Sequence, residues 1–301
     1  MIRINVDAGH GSNTPGKRTP PMPVNVDFDG DGVVDLKKGN AIKEHFANVK
    51  VAVLLVEELK RCGFEVTKTG FDDANAENDA DVSISSRQKA IKKAACDYSV
   101  SIHYNAYGDG KSFNSAQGVS VYIHSSYPKD SRKLASKVLN QLMAGAKQKN
   151  LGIATANLGL CNCKLMNTKA AILVETAFMT NQNEAVNRMG KKKFWEEAAM
   201  EIAKGICEYT GIAYVKKPAQ TKPAVVYKVH AGSYTAEGEA NKAAEQLKKK
   251  GFKERYVYSA KVSGNTVYRI QLGIFSSKDS ADKMLARAKA AGFTKAFTLK
   301  S

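Results

Sequence analysis

No apolar run in the chain approaches the ~20 residues that a membrane-spanning helix requires, so the sequence excludes an integral membrane anchor of that kind. No secretory leader is expected either. Met1 passes directly into Ile2-Arg3-Ile4-Asn5-Val6, without the charged-then-apolar pattern of a signal peptide. The expectation from that start is synthesis in the cytoplasm without a signal peptide, with any target outside the cell reached after lysis or holin-type release. Cysteine is scarce and odd in number: Cys62, Cys96, Cys161, Cys163 and Cys207 are scattered, which fits reduced, packed thiols rather than a disulfide framework. Cys161-Asn162-Cys163 has neither the spacing of a zinc knuckle nor a second pair. Acidic residues are in short supply, 29 against 46 basic, and the net charge of +17 implies a polyanionic partner. Nucleic acid and a wall rich in carboxylates and phosphodiester polymers both meet that description. Charge alone does not choose between them.

With 301 residues, 43% of them hydrophobic, the chain can bury a full core and is long enough for one large domain and one small one. Apolar runs at 2–6, 64–66, 98–102, 119–123 and 171–175 read as strands. Between them apolar residues recur every three or four positions, as in Phe46, Val49, Val53 and Val56, in Leu134, Val138 and Leu142, and in Phe194, Ala198, Ile202 and Ile206. Strands alternating with helices predict an α/β fold with a mostly parallel sheet flanked by helices. Sites in such sheets lie at the carboxyl ends of strands, where His10 and His103 both fall.

Four short segments carry the chemistry: Val6-Asp7-Ala8-Gly9-His10-Gly11, Lys43-Glu44-His45-Phe46-Ala47-Asn48, Ser101-Ile102-His103-Tyr104-Asn105 and Leu173-Val174-Glu175-Thr176. Each places a metal-competent or proton-carrying side chain at or just past an apolar run. Two histidines and a glutamate are a common ligand set for catalytic zinc. Glu175 would end an apolar strand with a carboxylate, which is costly without a partner and therefore suggests function. His45 lies about 100° around the helix from Glu44 and is expected to face solvent.

In this order the segments resemble the zinc-dependent N-acetylmuramoyl-L-alanine amidases of the Amidase_3 type, which cut the stem peptide from the glycan of bacterial peptidoglycan. Lesser marks fall in sequence as well: Arg87 ahead of Ala90-Ile91, Gly118-Val119-Ser120-Val121-Tyr122, Ser131 ahead of Leu134-Ala135, and Phe178-Met179-Thr180-Asn181. The similarity runs over 1–212 and implies an Amidase_3-like catalytic domain. It implies a Zn2+ cofactor held by His10, Glu44 and His103, with Glu175 as the catalytic base and then acid, and Asn105 in the substrate cleft. A proline that usually precedes the last strand is replaced by Lys169-Ala170, a departure that touches no chemical group.

Between His10 and Glu44 the stretch Asp27-Phe28-Asp29-Gly30-Asp31-Gly32-Val33-Val34-Asp35 fits an EF-hand-like calcium loop at positions one, three, five, six and nine. Position twelve is Lys38 instead of a bidentate glutamate, and calcium binding and a solvated acidic loop both remain open.

Residues 213–224, with two prolines and no apolar periodicity, read as a linker. The remainder repeats itself: Tyr227-Lys-Val-His-Ala-Gly232-Ser-Tyr234 returns as Tyr268-Arg-Ile-Gln-Leu-Gly273-Ile-Phe275, each unit reading strand, helix, strand. Residues 225–301 resemble the SPOR domain, a small α+β fold with a four-stranded sheet and two helices whose members bind peptidoglycan. The resemblance implies Tyr227, Tyr234, Tyr268 and Phe275 as wall-binding residues, and His230 is expected at the surface of the binding sheet. From 224 to 301 there are 15 basic and 6 acidic residues, so more than half of the excess charge sits in this quarter of the chain. The same aromatics would suit stacking on bases, but nothing else points to nucleic acid. The whole predicts a monomeric peptidoglycan hydrolase, of phage endolysin or sporulation type, with no nucleic-acid partner and no membrane span; a stem-peptide peptidase and a nucleic-acid binder are the alternatives.

Overall fold

The computed structural model describes residues 1–126, 128–145, 147–217, 226–262 and 264–300. The chain divides into two compact units, Met1–Lys217 and Pro218–Ser301. Of the predicted linker, 218–224 lie outside the described residues. Residues 213–217 keep company with the first unit: Tyr214 donates its hydroxyl to Glu58 Oε2 at 2.5 Å, and Arg61 Nε donates to the Val215 carbonyl at 2.9 Å. Among the described residues no helix is long and apolar enough to cross a membrane.

In the first unit the elements run β1 (Arg3–Ala8), α1 (Glu44–Arg61), β2 (Glu65–Thr69), α2 (Ile84–Lys93), β3 (Tyr98–Asn105), β4 (Val119–His124), α3 (Pro128–Gly145) and β5 (Asn150–Ala156). Then follow the single turn α4 (Cys163–Met166), β6 (Ala170–Phe178), the short α5 (Gln182–Glu184) that passes into a π turn, and α6 (Lys192–Thr210). The six strands form one sheet in the order β2-β1-β3-β6-β4-β5. All neighbours are parallel except β4 and β6, which run antiparallel. The mostly parallel sheet thus reverses once, at β4. Both faces are covered, as parallel sheets require. On one face Ile4, Val6 and Ala8 join Leu55 and Leu59 of α1 and Ile202 and Ile206 of α6 in a continuous core.

The other face of β1 is buried and polar. Asn5 and Asp7 are fully enclosed, and their side chains are matched by Thr69 and by Ser99 and Ser101 of β3. Two predicted strands run longer than the apolar pattern suggested. β3 continues through His103 to Asn105 and β6 through Glu175 to Phe178, because parallel pairing of His103 with Glu175 carries the ladder past the last apolar residue. All five cysteines are free and buried.

In the second unit β7 (Tyr227–Tyr234), α7 (Glu237–Lys249) and β8 (Tyr256–Val262) are followed by β9 (Asn265–Phe275), α8 (Lys278–Ala290) and β10 (Phe297–Lys300). They make an antiparallel sheet in the order β10-β7-β9-β8. The two helices cover one face through Ala240, Leu247, Ala281 and Ala288, over Val229, Ala231, Ile270 and Leu272 of the strands. Tyr227, Tyr234, Tyr268 and Phe275 are half-buried against that same core. They therefore belong to the helix-covered side: Tyr227 and Tyr268 share the side-chain alternation of Val229 and Ile270, and the register shifts between β7 and β9 around His230 bring Tyr234 and Phe275 to the same face. His230 departs from its expected surface place: it is fully buried, stacked on Phe297 at 5.0 Å between centroids, with Nε2 2.8 Å from the Tyr258 hydroxyl.

Candidate metal and catalytic centre

The parallel pairing of β1 with β3 aligns Ala8 with Ile102, so the loop after β1 and the end of β3 meet at one edge of the sheet. Glu44 arrives from above as the first residue of α1, its N–H donating to the Lys17 carbonyl at 2.9 Å. Its carboxylate lies between the two imidazoles. Oε1 is 3.1 Å from His103 Nδ1 and accepts the Tyr104 N–H at 3.2 Å, while Oε2 is 3.2 Å from His10 Nε2. One ligand atom from each of the three side chains lies within 4.8 Å of the others. Neighbouring ligands of a tetrahedral ion bound at ~2.0–2.1 Å stand ~3.3 Å apart, close to both observed separations.

The electrostatics agree with a cation at this point. Burial is the largest influence on Glu44 and favours its neutral form, yet hydrogen bonds and charge from His10 and His103 overcome it and hold the carboxyl well below the usual range. For His103, burial pulls the other way and is outweighed by Glu44, so its affinity for a proton rises. Glu44 Oε2 is buried, and beyond the approach of His10 Nε2 at 3.2 Å it makes no well-aligned hydrogen bond. A buried acceptor in that condition is costly unless it meets a proton or an ion. Gly9 completes the cradle: a Cβ there would sit 2.2 Å from His103 Cε1, so only glycine leaves space for the ring. The residues fit a small divalent ion with nitrogen and oxygen preference.

His10 holds an unusual backbone, with φ at 64°. A non-glycine residue in the left-handed region costs about 1–3 kcal/mol and persists only where its surroundings fix it. Here the carbonyls of three successive residues are pinned by side chains. Arg87 of α2 donates to Ala8 O and His10 O and pairs with Asp7, while His45 Nδ1 (2.8 Å) and Asn48 Nδ2 (3.1 Å) both reach Gly9 O. His45 Nε2 in turn faces Asp79 Oδ2 at 3.1 Å. The expectation that His45 faces solvent therefore fails: it is 1% exposed. At the first turn of α1, the direction away from Glu44 points at the loop that follows β1, not at water.

Glu175 is the register partner of His103 on the adjacent strand, so both side chains leave the same side of the sheet. Its residue is half-buried but Oε2 is enclosed and without a hydrogen-bond partner. Burial pushes its carboxyl up to about 7, with the charge of His103 opposing and that of Glu44 adding to the rise. His10, His103 and Glu175 line a cleft of about 630 Å3 together with Lys17, Asp81, Ile84, Arg87 and Leu158–Leu160.

Asn105 lies two residues beyond His103, half-buried, with Oδ1 accepting the Ala106 N–H; it is not among the described residues lining the cleft. In the acidic loop Asp27, Asp29 and Asp35 bring carboxylate oxygens within 4.8 Å of one another. Those carboxylates cap the loop's own backbone: Asp27 accepts from Gly30 and Gly32, and Asp35 from Phe28. The N–H groups of Gly32 and Gly30 hold Asp27 below the ordinary aspartate range.

A family model described as N-acetylmuramoyl-L-alanine amidase, Amidase_3, matches residues 4–208, and a SPOR domain model matches residues 223–299. The chain is similar to the sporulation-specific N-acetylmuramoyl-L-alanine amidase of Bacillus subtilis (strain 168), 25% identical over 256 residues that span 84% of this chain and 83% of that protein. It is 23% identical over 262 residues to the N-acetylmuramoyl-L-alanine amidase CwlM of Bacillus licheniformis, across 86% of this chain and 85% of that one. Among solved structures, an N-acetylmuramoyl-L-alanine amidase from Clostridium difficile 630 shares the fold, with a TM-score of 0.54 over 70% of this chain and 97% of that chain at 22% identity.

Proposed function

Because the chain belongs to the Amidase_3 family of N-acetylmuramoyl-L-alanine amidases and carries a SPOR domain at its C-terminal end, we propose that it hydrolyses the bond between the lactyl group of N-acetylmuramic acid and L-alanine. In this reading His10, Glu44 and His103 hold Zn2+, Glu175 moves the protons, and the basic second unit keeps the enzyme on peptidoglycan. The observation that carries the proposal is the convergence of His10, Glu44 and His103 within 4.8 Å, with Glu175 in register beside His103.

When bound, such an ion supplies Lewis-acid polarisation of the amide carbonyl and acidifies the attacking water. The protein's part is position and proton transfer. Glu44 stays ionised between its two imidazoles and fixes their rings, and the pinned carbonyls of Ala8, Gly9 and His10 keep the first imidazole in place. Glu175, whose carboxyl is poised near neutrality, accepts the water proton on an oxygen that no protein group occupies and delivers it to the leaving amine nitrogen. A base with a pKa near the working pH is suited to both halves of that exchange.

The test is product analysis. Digestion of purified walls is expected to release L-alanine amino termini without new reducing sugar ends, to stop with a zinc chelator and to return with added zinc. New reducing ends, an amino terminus other than L-alanine, or indifference to the chelator would refute the reading.

A further inference from the structure

The cleft contains a cation that the hydrolytic step does not use. Lys17 lies in the segment between β1 and α1, exposed, with its side chain lining the same cleft as His10, His103 and Glu175. Its backbone is fixed: the Lys17 carbonyl accepts the Glu44 N–H at 2.9 Å, Arg18 bridges to Lys43, and the Thr19 N–H donates to Ile42 O at 2.9 Å. The root of the side chain is therefore held at the head of α1. The other charges of the cleft are committed. Arg87 is 3% exposed and consumed by Asp7, Asp81 and backbone carbonyls, and Asp81 accepts from Arg87 and from Thr14. Among the described residues no carboxylate lies within salt-bridge distance of Lys17, although its positive charge is felt at Glu175.

A cation without a salt bridge beside the reacting groups is placed to recognise an anion on the substrate. The chemistry of the proposed bond says on which side that anion lies. The lactyl carboxyl of the muramoyl group is the acid that forms the amide, so it is neutral in the substrate, and the sugar around it carries hydroxyl and acetamido groups. Free carboxylates begin on the other side, in the peptide after L-alanine. We propose that Lys17 is a specificity-determining residue that binds a free carboxylate of the stem peptide's second residue, so that the enzyme prefers acidic stem peptides over those amidated at this position. The inference rests on the amidase reading and sharpens its substrate class.

It also fixes the polarity of binding: the peptide lies toward the segment between β1 and α1. An ion pair at a partly open cleft contributes modestly, and a preference of about threefold to tenfold is the expected scale. It should shrink with added salt, as exposed pairs do.

The test uses the full-length zinc-loaded protein and two soluble muramoyl peptides that differ only in a carboxylate or a carboxamide on the residue after L-alanine. Wild type is expected to favour the carboxylate by about threefold to tenfold in kcat/KM, with the difference in KM. Lys17→Gln should bring the ratio close to one, and Lys17→Arg should retain it. Zinc content, read by metal analysis, should be equal in all three proteins, which separates recognition from damage to the centre. A wild-type ratio of one, or a preference that survives Lys17→Gln, overturns the inference alone. Failure of wild type to cleave either peptide overturns the amidase reading and takes this inference with it.

Discussion

Replacing Gly9 with alanine adds one methyl group and should dismantle the centre. The new Cβ would lie 2.2 Å from His103 Cε1, 2.4 Å from Nε2 and 2.6 Å from Nδ1. Non-bonded carbons rest at about 3.5–4.0 Å, so the ring must retreat by roughly 1.3 Å or the loop must move by as much. Neither has slack. Glu44 Oε1 stands 3.1 Å from Nδ1, His10 packs edge-on at 4.9 Å between centroids, and the Gly9 N–H is bound to Ile102 O at 3.0 Å. Metal ligation tolerates displacements of only about 0.2 Å. A ring pushed six times that far ceases to be a ligand.

Loss of supporting groups around a metal site typically costs about tenfold to a hundredfold in affinity, so removal of a ligand itself should exceed a hundredfold. Overpacking should cost about 1–3 kcal/mol of stability, which for a unit of this size lowers Tm by about 2–4 °C for each kcal/mol. Zinc affinity is measured by competition with a chelator of known strength, beside a thermal melt of the metal-free protein. Gly238→Ala is the control, since nothing lies within 4 Å of a Cβ placed there. A Gly9→Ala protein with wild-type zinc affinity and wild-type activity would refute the reasoning, because His103 could then not be a ligand held against Gly9.

Arg87→Met strands Asp7 in the core and frees the Ala8 and His10 carbonyls; breaking a buried pair in this way should cost about 3–5 kcal/mol in urea unfolding, and a loss under 1 kcal/mol would count against it. Glu175→Gln should lower kcat by about a hundredfold to ten-thousandfold with zinc content unchanged, read by wall digestion and metal analysis. Because the Glu175 carboxyl is raised from 4.5 to about 7 in the fold, the folded state binds the extra proton, so metal-free wild type loses stability as pH rises from about 4.5 to 7. Glu175→Gln should therefore stabilise the fold more at pH 8 than at pH 5, by at most roughly 3 kcal/mol in urea unfolding; an equal gain at both would show that the group is not raised. His45→Phe removes one of two donors to Gly9 O and leaves Asp79 without its ring partner; zinc affinity should fall about tenfold to a hundredfold, measured by the same competition.

How much of this was readable in advance depends on whether a feature is local. The helix from Glu44 to Arg61 follows from apolar spacing and from acid at its start and base at its end. The strands were legible as apolar runs, but their ends were not. Nothing local says that β3 continues through His103 to Asn105 or that β6 runs on past Glu175 to Phe178, since those pairs form only when the two strands lie side by side. The reversal of β4 against β6 is equally silent, because a buried strand reads the same in either direction. In the second unit the repeat was visible, yet the face that its aromatics take was decided by the helices above Val229 and Ile270.

The candidate site divides along the same line. Residues that would touch the ion or the reacting bond are marked by their type, because few side chains can ligate a metal or carry a proton. The residues that aim them are not marked, since what they contribute is a hydrogen bond to a backbone carbonyl, and any donor of the right length can make one. His45 shows the difference. Helical geometry put it on a side other than that of Glu44, which is correct; what it could not supply is that the loop bearing His10 occupies that side. Arg87 offered a better clue, an arginine in a helix otherwise short of buried positions, three residues before Ala90 and four before the buried Ile91. An arginine on the buried side of a helix must find acceptors inside the protein. The acceptors nearest to hand are the carbonyls of a turn whose backbone, with His10 at φ 64°, cannot satisfy them by itself. The strained ligand and the buried arginine are thus two halves of one arrangement, and a change in either should be felt first in the grip on the metal.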